Sequence, residues 1–307
     1  MPGPIRAFFA TTAMAVAGLA PAQGLIAQGD ALLAAGRQAA ALDKYDAAVD
    51  SSANAISWTA RAKALLAIGK DKKALQDLNS ALAMDSLYLP ANRLSAEVAF
   101  RKGDDAGTIH FADRALEGHN APVDRARLLV MRGQSLAALQ HNKQALADLA
   151  EGLEGRNNDL PAMKTLARLY DLNGQFAESL GVLETLCSLE PEDIGNWCNR
   201  GHELNRLGRF AEALSVLETA LRLDKDEPVT LSNKAFALMR SSRDADAMEA
   251  VNRSLRSNPE NPVALCTRAE LLIRRGDRDK ACADLRAAKA LGSAPGLEEL
   301  TKENCGP

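Results

Sequence analysis

The chain has 307 residues, of which 47% are hydrophobic and only 4% aromatic, and 37 basic residues stand against 40 acidic ones. The net charge of -3 excludes the strongly basic balance that draws a protein to nucleic acid or anionic membrane. Apolar content is ample for a core, but alanine and leucine must do most of the packing.

The first element is "MPGPIRAFFATTAMAVAGLAPAQ". Arg6 precedes an apolar run from Ala7 to Ala20, and Ala20-Pro21-Ala22 places small residues at both recognition positions of a leader peptidase. This layout predicts a secretory signal peptide over residues 1–22, with the mature chain beginning at Gln23. The run is shorter than the roughly 20 residues that a membrane-spanning helix needs. An uncleaved N-terminal membrane anchor is the alternative. No cysteine follows the run to carry a lipid, and there is no twin arginine. The expected location is periplasmic or secreted, in the style of bacterial export.

From residue 23 onward the chain repeats itself. Gly36, Gly69, Gly103, Gln140, Gly174, Gly208, Ser242 and Gly276 recur about every 34 residues, with one longer gap of about 37 before Gln140. A period near 34 with glycine at the anchor predicts stacked pairs of helices joined by a tight turn. Seven places before each anchor the residue is always Gly or Ala, as at Ala62, Gly201 and Ala269. Five places after it stand Ala41, Ala74, Thr108, Ala145, Ser179, Ala213, Ala247 and Ala281; twelve places after it most residues are again small, as at Ala48, Ala81 and Ala220. Two helices that cross closely need small side chains at the crossing. Gln140 and Ser242 break the glycine rule, and the stretch "EGHNAPV" adds three residues before one repeat. Those repeats are expected to be looser or to carry altered turns.

With Trp197, Gly201, Leu204, Gly208, Phe210, Ala213 and Ala220 in one repeat, Tyr170, Gly174, Phe176 and Pro191 in the one before, and Trp58, Ala74 and Ala81 earlier, the chain resembles a tetratricopeptide repeat (TPR) protein. The resemblance runs from about Gln23 to Gly292. It implies an all-α fold, a right-handed α-solenoid of about eight helix-turn-helix repeats over residues 23–292. Residues 293–307, with "GLEELTKENC", read as a C-terminal capping helix and tail.

There are five cysteines. Export permits disulfides, and an odd number leaves at least one unpaired or paired between chains. Cys282 lies in the last repeat and Cys305 at the end of the capping helix, so a bond between them would staple the cap onto the array. Cys187 and Cys198 flank one inter-repeat connection and are a second candidate pair, with Cys266 left over.

Catalytic chemistry finds no support. The four histidines show no metal-ligand spacing, no cysteine pair has CxxC spacing, and neither a phosphate-binding glycine loop nor GxSxG occurs. Cys198 and His202 are four residues apart, but no third group orients them. No enzyme activity, cofactor, metal or small-molecule substrate is expected.

Surface recognition remains. Residues ten, six, three and two places before each anchor share one helix face, and the resemblance implies that this face lines a concave groove that holds partner segments. The candidate groove residues are Arg93, Arg101, Lys164, Arg168, His202, Asn205, Arg206, Phe236, Arg240 and Arg274. Arginines recur two places before the turn, at Arg101, Arg206, Arg240 and Arg274, which suits acidic or carboxylate-bearing protein segments. The competing expectation is that they pair with neighbouring acids such as Asp171 and Glu270. The two-carboxylate clamp of some TPR domains is incomplete: Lys164 and Asn199 match it, while Arg168, Val229 and Asn233 depart from it. The expected function is a non-catalytic interaction scaffold or adaptor in the cell envelope. A chaperone-like assembly factor and a non-catalytic subunit of an envelope enzyme are the alternatives.

Overall fold

Small side chains at fixed offsets from a turn leave a chain little choice but to double back in pairs of helices. The computed structural model describes residues 21–155, 159–292, 294 and 296–306. The predicted signal peptide therefore lies almost wholly outside the described residues. Among the described residues there are seventeen helices, and they form two bodies, residues 1–135 and 136–307.

The N-terminal body holds the hairpins α1 (Pro21–Ala34) with α2 (Gln38–Ser51), α3 (Ala55–Ala67) with α4 (Asp71–Met84), and α5 (Leu89–Arg101) with α6 (Asp105–Glu117), and most of α7 (Pro122–Ala138). The C-terminal body continues with α8 (Asn142–Gly152). It then pairs α9 (Leu160–Leu172) with α10 (Phe176–Leu189), α11 (Ile194–Arg206) with α12 (Phe210–Leu223), α13 (Pro228–Arg240) with α14 (Asp244–Ser257), and α15 (Pro262–Arg274) with α16 (Arg278–Leu291). It ends in α17 (Leu297–Asn304).

Each hairpin turn is built alike. The Gly208 N–H donates to the Asn205 carbonyl at 3.1 Å and the Arg209 N–H to the Leu204 carbonyl at 2.8 Å. This paired closure of a helix end needs a left-handed residue at its centre, and Gly208 has φ +73°. Gln140 and Ser242 were expected to alter their turns, and they do not. They take φ +64° and +60° and close the same two hydrogen bonds, Gln140 to Ala137 and His141 to Leu136, and Ser242 to Met239 and Arg243 to Leu238. At Ser242 the packing of α13 on α14 holds a backbone that costs a non-glycine residue roughly 1–2 kcal/mol. The three inserted residues are absorbed upstream instead. α7 is 17 residues long where α5 is 13, about one extra turn, and the Asn120 side chain ties the connection to the Ala115 carbonyl at 2.7 Å.

The crossings follow the small-residue register. Ala41, Ala74, Ala145, Ala213, Ala247 and Ala281, all five places after a turn, are fully buried. A methyl group added at Gly201 would come within 2.4 Å of the Leu217 side chain, and one at Gly29 within 2.6 Å of Tyr45.

A second register went unpredicted. Eight places before the turn a basic residue reaches back to an acid ten places after the preceding turn. The pairs are Arg61–Asp46 at 2.9 Å, Arg132–Asp113 at 2.6 Å, Arg200–Glu184 at 3.1 Å and Lys234–Glu218 at 3.5 Å. Arg61 and Arg268 each also grip an acid on their own hairpin partner through two nitrogens, Asp77 at 2.7 and 2.8 Å and Asp284 at 2.7 Å twice. Arg61 thus ties α3 to α2 and α4, and Arg268, with Asn252 at 3.4 Å, ties α15 to α14 and α16.

At the C-terminal end α17 folds back as predicted. Leu297 is buried, and Leu300 and Cys305 pack against the cluster that holds Leu272 and Leu285. Cys282 and Cys305 are bonded, with Cα atoms 5.6 Å apart. The second expected disulfide is absent: Cys187 and Cys198 are buried thiols that face different neighbours. Cys198 Sγ accepts a hydrogen bond from Asn233 Nδ2 at 3.5 Å, whereas Cys187 sits near Arg200. Burial raises both thiols, Cys187 to about 11, so neither is primed as a nucleophile.

Candidate functional site: a segmented groove on the first helices

The first helix of each hairpin turns its −10, −6 and −3 positions to one side, and cavities open there. In the N-terminal body a cavity of about 590 Å³ runs along α3, α5 and α7, floored by Leu66, Leu94, Leu128 and Met131. Its predicted cations have contrasting fates. Arg93 pairs with Asp124, and the neighbouring Glu97 pairs with Arg127 at 2.8 Å. Arg101 is exposed at the rim of the same cavity.

In the C-terminal body two cavities adjoin at His202. The one between α9, α10 and α11, about 220 Å³, is lined by Lys164, Arg168, Asp171, Asn199, His202 and Glu203 among others. Lys164 is committed: its Nζ lies 2.6 Å from Asp193 and 2.8 Å from Glu190. The hydrogen bond to Asp193, then that to Glu190, raises the Lys164 pKa, and the Lys164 bond lowers both carboxyls. His202 Nε2 is 3.9 Å from Asp171, and burial lowers the imidazole pKa, keeping it neutral near pH 7.

The second cavity, about 330 Å³, brings α11, α13 and α15 together through His202, Asn205, Arg206, Asn233, Phe236 and Cys266, with Val263, Thr267 and Glu270 completing its wall. Four predicted residues spaced across two repeats, His202, Asn205, Arg206 and Phe236, thus share one hollow. Asn205 Nδ2 donates to the Asn233 carbonyl at 2.9 Å. Arg206 lies over the Phe176 ring at 4.3 Å, and Arg240 stands near both Phe210 and Phe236 at 5.8 and 6.0 Å. The ring contact orients the Arg206 guanidinium, and both arginines are exposed, with N–H groups open to solvent. Arg274 behaves otherwise. It pairs with Glu270 at 2.8 Å and Asp244 at 2.9 Å, so the arginine row is neutralised at its last member and open at Arg206 and Arg240.

Sequence reasoning missed Glu203. Five places before the other turns stand residues such as Ala64, Val98, Leu169, Ala237 and Leu271, all buried. Glu203 occupies the same buried position, 3% exposed, and an ionisable side chain in that row was the available signal.

Two stretches match models described as tetratricopeptide repeat, residues 26–88 and 204–265. Those stretches carry tetratricopeptide repeats. Its fold is similar to the crystal structure of YrrB, described as a TPR protein with an unusual peptide-binding site: 22% identity, TM-score 0.53, covering 62% of this chain and 97% of that one. The P58(IPK) TPR domain (21% identity, TM-score 0.35, 92% and 97% covered) and a tetratricopeptide repeat protein from Parabacteroides merdae (17%, 0.45, 93% and 99%) are weaker structural likenesses. No curated protein matches the sequence. TPR proteins are in general non-catalytic interaction modules, and this TPR fold is consistent with a protein–protein interaction scaffold. Among the described residues no three His, Cys, Asp or Glu side chains group to hold a metal ion, and no helix is long and apolar enough to cross a membrane.

Proposed function

We propose that this protein is a non-catalytic scaffold or adaptor of the bacterial cell envelope, and that it holds carboxylate-bearing segments of a protein partner in the groove of its C-terminal body. One observation carries the reading. Arg206 and Arg240, beside aromatic rings and outside the ion pairs that occupy Lys164 and Arg274, flank a hollow walled by Phe236, Val263 and Cys266. Such a hollow accepts an apolar side chain while the guanidinium edges accept acids beside it. The peptide-binding description of YrrB supports the same use of the fold. Export is supported by the signal-like N-terminus and by the Cys282–Cys305 bond, which suits an oxidising compartment.

The test places a photo-crosslinking amino acid at Arg274 or Leu207, beside the hollow, in cells, and identifies what is captured. The reading expects one recurrent partner, at least ten-fold less captured when Arg206 and Arg240 are both changed to Glu. Unchanged capture by a folded double variant overturns it.

A further inference from the structure

The buried carboxyl of Glu203 has an unusual hydrogen-bond position. Ser179 Oγ lies 3.0 Å from the Ala167 carbonyl and 2.8 Å from Glu203 Oε1. A hydroxyl has one hydrogen, and the Ala167 carbonyl can only accept it. That one hydrogen is shared between the Ala167 carbonyl and Glu203 Oε1, so the carboxyl is under-donated, and burial favours its neutral form. The second oxygen, Oε2, is buried with no hydrogen-bond partner, and Glu203 lines the 220 Å³ cavity. A buried acceptor left bare costs roughly 1–3 kcal/mol.

The groups around it show what is missing. From α9 come Lys164, Arg168 and Asp171; from α10, Ser179; from the α10–α11 connection, Asp193; from α11, His202 and Arg206. Lys164 and Asp193 satisfy each other. Asp171 has only His202, at 3.9 Å and neutral near pH 7. Two carboxyl groups thus border one cavity, and both are short of donors. Chemistry that answers both at once is a compact cation with several N–H bonds.

We propose that this cavity is a subsite for a lysine ammonium of the bound segment, seated between the Glu203 carboxyl and Asp171. The proposal rests on the groove reading above and adds a basic residue to the segment, next to the part that meets Arg206. Seating the ammonium ionises Glu203. Its proton leaves to solvent, and the Ser179 hydroxyl turns from the Ala167 carbonyl to the new carboxylate. Burial, opposed by the Ser179 bond and reinforced by the Asp171 charge, sets the empty-site carboxyl at about 7, so the exchange occurs within the physiological range.

The probe is Nα-acetyl-lysine methylamide, titrated into the full isotope-labelled chain, with the Nε-acetylated form as control. The expected result is saturable shifts at Asp171, Asn199 and Glu203 with the lysine probe only. Apparent affinity should rise about ten-fold from pH 6 to pH 8. Glu203→Gln should abolish the pH dependence, and Asp171→Asn, at a half-exposed position, should weaken binding in a chain that folds normally. Equal shifts with both probes, or none with either, overturn the subsite. So does binding that is indifferent to pH and to both substitutions. The groove reading stands or falls separately, on partner capture through Arg206 and Arg240.

Discussion

The Glu203 carboxyl titrates near 4.5 when free and at about 7 in the fold, chiefly because burial disfavours its charge. The folded state therefore holds a proton that the unfolded chain has released. Stability from this group is complete below pH 4.5 and falls as pH rises through about 7. That is the reverse of the usual carboxylate, which loses stability in acid. Glu203→Gln keeps the shape and removes the proton. The variant should melt at nearly the same temperature from pH 6.5 to 8.5, while the parent loses about 1 kcal/mol over that range, the tail of a larger loss that begins above pH 4.5. His202 titrates below this window, so it does not blur the comparison. Parallel pH profiles for the two proteins, followed by thermal denaturation, would rule out the protonated form. Composition hid this residue: one glutamate among 40 acidic side chains becomes conspicuous only when the repeats are laid over one another at a position the helix crossing buries.

At the scale of the helix, the turn and crossing registers were legible because they depend on side-chain size and on φ, both fixed by residue type. Gln140 and Ser242 show where that reasoning ends. At Ser242 the left-handed turn is imposed by the hairpin, and a residue that prefers otherwise is carried along. The basic-acidic stitching was not legible. Its partners sit on different helices, some in the preceding repeat, and charge on a helix surface is by default a solvated face. Burial decides which pairs matter. Asp77 and Asp284 keep only 5% and 12% of their side-chain surface, whereas Asp46 and Asp113 keep about half. Arg268→Ala should therefore cost about 2–3 kcal/mol, since it strands Asp284 without its two-nitrogen partner. Lys234→Ala, whose partner Glu218 is exposed, should cost under about 1 kcal/mol. Chemical denaturation of the two variants is the measurement, and equal losses would show that the stitching acts by surface charge alone.

Across the whole chain, a repeat array is as stable as its neighbouring contacts, and its ends open first. The C-terminal end was read correctly from sequence because Leu297 and Leu300 share a face and Cys305 follows them. The Cys187–Cys198 pairing was misjudged, since nearness along the chain says nothing of which way a helix points its thiol; Cys198 points to α13. The bond that did form closes 23 residues and restricts the unfolded end by about 3 kcal/mol in the chain-entropy account. It also holds Leu297 over Leu272 and Leu285, the apolar surface that the last hairpin would otherwise expose. Cys305→Ser should release α17 and then the α15–α16 hairpin, leaving α11 and α12 almost untouched because only adjacent repeats share contacts. Hydrogen exchange resolved by residue reads this directly. Amides at Leu272 and Leu285 should exchange at least ten-fold faster in the variant under oxidising conditions, and those at Leu204 and Leu217 at unchanged rates. Uniform acceleration along α9 to α16 would mean that the body unfolds as one piece and that the staple stabilises all of it; no change at Leu272 and Leu285 would mean that packing alone seats the cap.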